Sequence, residues 1–406
     1  MIKKILTSPW TALITLVLIV GVRVADPTFV ESVRLRYFDT LITAKEPTFN
    51  NIITVNIDEK SLEKYGQWPL PRDQYAKIVE DLYKRNAGLV VLNVLMAEPD
   101  RTGGDAILAN KMMEYPVILP NVPNQTNKNT PKVPGSAVLN PEYLDQIIQY
   151  PGLISNVRPL EARAVGVGTV NTLPEVDGVN RRIPLIAAID GKLYPSIAME
   201  TLRVAAGDST FQVKLFEGGV EKMRIPKFGP VATDNLGRVW IDWSQQNRSI
   251  SLTNLPKDLE GAVVIVGPTA AGISNPVPTA KGAVWPQDVQ AAVIGTMMNG
   301  VTIQRPDYAD GAEILALVAF GLLLIFLSRW TYVGICATVV IVGAIVPGTI
   351  YAFNNWLILA DATAIAFGLI IVALHTYGVK FVSEFLQKQA IKKQFAGYCS
   401  KEVVEL

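Results

Sequence analysis

The sequence predicts an α/β domain with a mixed, largely parallel sheet, joined to a four-helix transmembrane region. Three observations carry that reading. Four long apolar runs lie at the ends of the 406 residues, one at the start and three toward the finish. Between them buried-strand patterns alternate with helical ones, and strand, helix, strand in close succession implies a parallel βαβ unit. Half of the residues are hydrophobic and 18% are charged, against ~25% in ordinary soluble chains.

Charge and rare residues narrow the function classes. Lys+Arg number 37 and Asp+Glu 36, a net charge of +1, so no global field draws nucleic acid or an anionic substrate. A single histidine, His375, and two cysteines, Cys336 and Cys399, exclude His-rich metal sites and zinc-finger spacings. They also exclude a Ser-His-Asp triad away from His375. No metal or nucleic-acid partner is expected.

The first apolar run, Ile5–Val24, follows Lys3-Lys4 and predicts a span within residues 1–25. Cleavage after Ala25 would put Arg23 where a signal peptidase needs a small residue, so a retained anchor is expected. Helical spacing of Val30, Val33, Tyr37, Phe38, Leu41 and Ile42 predicts a helix leaving the membrane. Residues 52–57 then read as a buried strand, Tyr75 to Tyr83 as a helix with one apolar face, and 88–95 as a second strand. A short helix around 106–113 leads to a strand at 117–119. The Pro- and Asn-rich stretch 120–160 reads as a long loop or insertion. Strands follow at 165–170, 183–189, 239–242 and 263–266, with helices at 195–206 and 288–299.

The three late runs, Ala312–Leu327, Tyr332–Phe353 and Trp356–Tyr377, place three more spans in 311–378, with Pro347 bending but not ending the middle one. Basic residues set the orientation: Lys3 and Lys4, Arg329, then Lys380, Lys388, Lys392 and Lys393 all fall on one side of four spans. Both termini are then cytoplasmic, and residues 26–310 form an extracytoplasmic domain with slightly more acidic than basic residues. That domain has no cysteine and is long enough to bury a core without disulfides.

Several constellations are candidates for chemistry. Asp58, Glu59, Glu98 and Asp100 follow two parallel strands expected to be neighbours, with Arg72 opening the intervening helix. Ligands of open parallel sheets bind at that edge; helix capping and local ion pairs are the alternative. Arg181 and Arg182, after Asp177, could grip an anion or form a structural turn. Trp68 could floor a pocket or pack as core. Gly267 to Gly272 has the length of a phosphate-binding loop but continues Ile273-Ser274 rather than Lys-Ser, and Gly166-Val167-Gly168 runs on as Thr-Val-Asn, so neither nucleotide fingerprint is complete. Asp361 and His375, the ionisable groups of the last run, are expected near its two interfaces.

A family resemblance runs through this segment. Phe38-Asp39, Val55 to Ile57 with Asp58-Glu59, Gly66-Gln67-Trp68-Pro69, Pro71-Arg72 and Glu98-Pro99-Asp100 come in turn. Val176-Asp177-Gly178, Arg181-Arg182, Leu193-Tyr194-Pro195-Ser196 and Val264 to Gly267 follow. In that order they resemble a CHASE2 extracellular sensor domain across 26–310. The chain departs from the pattern at Asn93, where an Asp is expected, and at Val289-Gln290-Ala291, which carries no His. The resemblance implies a sensor of an unidentified periplasmic ligand or protein.

Residues 379–406 carry the link to an output. Phe381, Phe385, Ile391 and Phe395 tend to one side of a basic helix, suited to a dimer seam or to lying on anionic lipid. The run Phe395 to Val404 resembles the entry segment of bacterial class III adenylate/guanylate cyclases. That resemblance implies a homodimeric, cytoplasmic cyclase making cAMP from ATP with Mg2+ or Mn2+, its catalytic domain absent from these 406 residues, in a bacterial inner-membrane protein. The alternative from another class is a non-catalytic membrane scaffold whose ectodomain binds a periplasmic or surface partner.

Overall fold

The computed structural model describes residues 11–124 and 135–395. They form two compact units: Ile42–Gln304, and the residues up to Leu41 together with those from Arg305 onward.

The first helices among the described residues are α1 (Ala12–Ala25) and α2 (Thr28–Thr43), bent by 77° at a short break. Asp26, at φ 40°, ends α1 in the left-handed conformation and, with Pro27, turns the chain. The residues before Thr11, which include the first six of the expected run Ile5–Val24, lie outside the described chain.

In the Ile42–Gln304 unit the principal sheet comprises β1 (Thr48–Ile57), β2 (Leu89–Leu92), β3 (Val117–Asn124), β4 (Gly152–Ile154), β5 (Gly166–Thr169), β6 (Gln245–Ser251) and β7 (Val263–Pro268). Their order is β6-β1-β7-β2-β3, with β3 pairing both β5 and β4; every pair is parallel except β3 with β4. The mixed, largely parallel sheet is as expected. Its order corrects one expectation: β1 and β2 are not neighbours, because β7, more than 170 positions later, inserts between them. Pairing order depends on which strand best fills the middle of the sheet, and β7 is buried at every residue up to Gly267.

Helices cover both faces. The pleat sends Ile53, Val55 and Ile57 into one core with Tyr75, Ile78, Val79 and Leu82 of α4 (Arg72–Lys84), next to α5 (Asp105–Glu114). The alternate residues of β1 meet α7 (Pro286–Met298) in the opposite layer, where α6 (Ile197–Ala205) packs on β3 and β5. There Thr54 Oγ1 donates to Asp288 at 2.7 Å. The short helix α3 (Glu59–Tyr65) follows β1. Gly166 and Gly168 let α6 lie close on β5, since a Cβ on Gly168 would strike the Ile197 backbone. Close packing is what this Gly-x-Gly does.

The stretch expected as a loop is partly ordered. Strand β3 continues to Asn124, and Gly135–Leu139 pairs in parallel with Thr210–Phe216, whose partner in turn is Gly219–Ile225. The expected strand at 183–189 divides into Arg182–Pro184 and Ile186–Ile189, which join different sheets because Pro184 has no amide hydrogen to carry a ladder on.

In the helical unit, α8 (Ala309–Leu327), α9 (Thr331–Trp356) and α10 (Ala362–Phe395) are long and apolar enough to cross a membrane; Ala12–Ala25 joins them only as part of the bent pair. Trp356, expected to open the last span, closes α9 instead; α10 starts at Ala362 because Asp361 caps it, accepting from the Thr363 amide at 2.8 Å. Pro347 lies inside α9 without ending it. Leu16, Leu317, Leu324, Leu369 and Val372 form the bundle core.

Candidate functional site

Asp58 and Glu59 follow β1 at the carboxyl edge of the sheet, and the predicted charged residues other than Glu98 bind protein partners through their side chains. Asp58 caps α3, its Oδ1 accepting from the Ser61 amide at 2.9 Å and hydroxyl at 2.6 Å. Burial alone would raise its carboxyl; the Ser61 bonds prevail and hold it below the usual range. Glu59 Oε1 accepts from the Ala271 amide at 2.9 Å, which lowers its carboxyl. Arg72 is buried and draws the 98–105 loop onto α4: it donates to the Glu98 carbonyl at 3.2 Å, its own amide meets Asp100 at 3.3 Å, and Asp105 lies 3.5 Å away. The Glu98 side chain is exposed. Trp68 packs half-buried against the core. Arg181, 1% exposed, makes two bonds of 2.8 Å to Asp177 and so lowers that carboxyl. Arg182 grips Glu175 at 2.7 and 2.8 Å, reaches Asp234 at 3.2 Å and lies over the Trp240 ring.

The structure thus brings Arg72, Glu98 and Asp100 together, and separately pairs Arg181 and Arg182 with carboxylates. None of the eight lines the edge cavity. That cavity, of about 480 Å³, opens between the ends of β7, β2, β3 and β5. Its wall contains Asn93, Asn171, Thr172, Ser274, Gln287 and Gln290 among apolar side chains, and no ionisable residue. Asn93 and Gln290, the two departures from the sequence pattern, both belong to it.

Helix α7 positions the glutamines. Pro286 opens the helix, and Gln287 in its first turn donates from Nε2 to Asn56 Oδ1 on β1 at 2.8 Å. Gln287 and Gln290 are 0% and 6% exposed, and the Oε1 atom of each has no hydrogen-bond partner. Sequence reasoning noted Gln290 only as a departure from the family pattern and passed over Gln287, because it followed charge.

Behind the cavity wall lies a buried acid. Glu161, on the turn Arg158–Glu161, accepts from Asn121 at 3.2 Å and Asn156 at 3.1 Å. Burial raises its carboxyl above the ordinary value, with the two amides opposing. Among the described residues no group of three or more His, Cys, Asp or Glu is placed to hold a metal ion.

The helical unit holds an ionic cluster that the sequence did not reveal. Arg23 of α1 donates to Asp310 and, at 2.9 Å, to Glu313 of α8. Arg305 donates to both oxygens of Glu313 at 2.9 Å and to the Leu359 carbonyl at 3.0 Å. Asp361, fully buried, gives its amide to Glu313 at 2.8 Å. Three helix termini are tied by this cluster. His375 of α10 meets the hydroxyls of Thr11 and Thr15 at 3.0 and 2.7 Å. The linker side chains Phe381, Phe385 and Ile391 are exposed on α10; the side chain of Phe395 and the cyclase-like run after it lie outside the described residues.

An α/β domain with an open cavity at the carboxyl edge of its strands, on a chain with three membrane-length apolar helices, has the build of a membrane-bound sensor. The chain belongs to the CHASE2 family: the model described as "CHASE2 domain" matches residues 14–326, more than half of the sequence, including α8. CHASE2 is a family of sensor domains. No curated protein and no solved structure matches the chain.

Proposed function

We propose that this protein is a transmembrane receptor whose CHASE2 domain, exposed to the periplasm, binds a small molecule in the carboxyl-edge cavity and regulates a cytoplasmic nucleotide cyclase. The observation that carries the reading is the cavity itself, open and walled by buried polar groups in a domain of a sensor family. A bacterial inner membrane, four spans with Ala12–Ala25 in the first, and cytoplasmic termini are supported by the basic residues at Arg329 and Lys380–Lys393. Lipid would surround the exposed apolar faces of α8, α9 and α10.

Signalling needs a ligand that binds two arrangements of the receptor with different affinity. The output is a homodimeric cyclase making cAMP from ATP with Mg2+ or Mn2+, as the sequence after Phe395 suggests. Exposure of Phe381, Phe385 and Ile391 along α10 supports a seam between two copies.

The test is the intact mass of the natively expressed protein, with cAMP assayed on the same sample. A product about 20 kDa or more above 44.3 kDa, roughly one further domain, together with cAMP is the expected result. A mass of 44.3 kDa without cAMP would overturn the cyclase and favour a scaffold.

A further inference from the structure

We infer that the helical unit seats one anionic phospholipid, an acyl chain lying in the groove between α1, α2 and α10 and the headgroup phosphate meeting Arg36. The inference rests on the receptor reading, which puts these helices in a membrane, and goes beyond it by assigning a lipid site.

The groove has a volume of about 530 Å³. One face of α1 from Thr15 to Arg23, the first turns of α2 and one face of α10 from Thr363 to Ile371 wall it. The 77° bend after α1 brings Phe29, Val30 and Val33 of α2 to the same space. Its polar residues are spent within the protein. Thr15 Oγ1 bonds His375 at 2.7 Å, Thr363 Oγ1 donates to Asp361 at 2.6 Å, and Arg23 donates to Asp310 and Glu313. What is left is hydrocarbon, with Leu18, Val22, Phe29, Phe367 and Ile371 exposed. Such a surface gains by taking an apolar occupant.

Length and charge choose that occupant. From Thr363 to Ile371 the wall runs about 12 Å at 1.5 Å per residue. One leaflet of a ~30 Å hydrocarbon core is about 15 Å deep, so the groove has the reach of a single acyl chain. Arg36 stands three residues beyond Val33 and seven beyond Phe29, on the groove side of α2. It is exposed and, among the described residues, has no carboxylate partner. Its neighbour Arg34 is taken up by Asp26 at 2.7 and 3.1 Å. A free cation one turn from an apolar groove fits a molecule that joins an anion to a hydrocarbon chain. The spans of a second copy do not supply that anion. Helix α9 has no acidic residue, Asp310 and Glu313 of α8 already meet Arg23 and Arg305, and α10 has only Glu384, in its linker part.

The full chain, purified in detergent and stripped of lipid, would be titrated with phosphatidylglycerol, phosphatidylcholine and glycerol 1-phosphate, the last a headgroup without a chain. Binding is read by native mass spectrometry and as a shift in Tm. One phosphatidylglycerol per chain should be retained and raise Tm saturably, and glycerol 1-phosphate should not bind. Phosphatidylcholine should bind about fivefold more weakly, as one Arg at an anionic lipid surface requires. Arg36→Gln should erase that preference and leave phosphatidylcholine binding unchanged. Ala364→Leu puts a larger side chain into the groove and should weaken both lipids by about tenfold. If that variant does not fold, Val33→Phe carries the same expectation. Equal binding of the two lipids by the parent, retention that never saturates, or unchanged affinity in the groove variant would each overturn the inference. So would a lipid-free dimer that Ala364→Leu dissolves, since a second copy would then fill the groove. Because binding is read without cAMP, a protein that keeps the lipid but makes no cAMP would sink the receptor reading alone. A cyclase that retains neither lipid would sink only the inference.

Discussion

A Cβ atom on Gly267 would lie 2.8 Å from Oε1 of Gln287. Gly267 pairs with Asn56, the residue that receives the Gln287 amide, so one rung of the β1/β7 ladder both anchors the glutamine and makes room for it. Gly267→Ala should push the Gln287 side chain aside at a cost of about 1–3 kcal/mol. Gly168→Ala should cost more, because its obstacle is the Ile197 backbone rather than a movable side chain. Thermal unfolding of both variants checks the order; equal losses would contradict it.

Glu161 predicts a pH dependence. Burial raises its carboxyl in the folded chain, so the folded state holds a proton that the unfolded chain has released. Its contribution is full below the ordinary value of about 4.3 and is lost as pH rises through the raised folded value. Glu161→Gln should flatten that part of the stability-versus-pH curve. Parallel curves for the two proteins would refute the assignment.

Arg23 predicts a coupling within the membrane bundle. Arg23→Met leaves Glu313 with Arg305 as its remaining cation and takes from the buried Asp361 the guanidinium 4.0 Å away, and should cost about 3 kcal/mol. Adding Glu313→Gln should then cost less than it does in the parent, because the two residues share one network. A double-variant cycle in detergent measures the difference, and additive losses would show the cluster to be idle.

Phe385 and Ile391 predict an oligomer. Exchanging both for Asp should lower the oligomer size and alter output, as both are exposed on α10. Light scattering and cAMP formation are the measurements. Unchanged values of both would remove the seam.

Much of the fold was legible because burial on both faces writes near-continuous apolar runs, as at Val90 to Leu92 and Val263 to Val266. The hairpin Thr210–Phe216 with Gly219–Ile225 escaped notice because exposed or half-buried polar residues break up its apolar ones, Lys214 in the first strand and Glu221, Lys222 and Arg224 in the second. The insertion of β7 between β1 and β2 was not legible either, since strand order leaves no local mark. At the site, charge drew attention to Arg72 and Asp100, whose contact runs through the Arg72 amide. Gln287 and Gln290 bear no charge, and the burial of their Oε1 atoms without a partner exists only once β1, β7 and α7 are assembled. The Arg23 and Glu313 contact spans nearly three hundred positions, beyond any periodicity.

One feature of the helical unit bears on how a signal would travel. Helix α10 runs from Ala362 to Phe395 without interruption, so the expected last span and the expected linker are a single rod. At 1.5 Å per residue it is about 50 Å long. Its first turn abuts Asp361, within 4.0 Å of Arg23, while Phe381 and Phe385 lie far down the shaft. A tilt of about 5° pivoting at Asp361 would swing the far end by about 4 Å, from that length alone. The helix is then a lever, and an ångström-scale adjustment among the carboxylates at its fulcrum becomes a displacement wide enough to part or join two side chains at its tip.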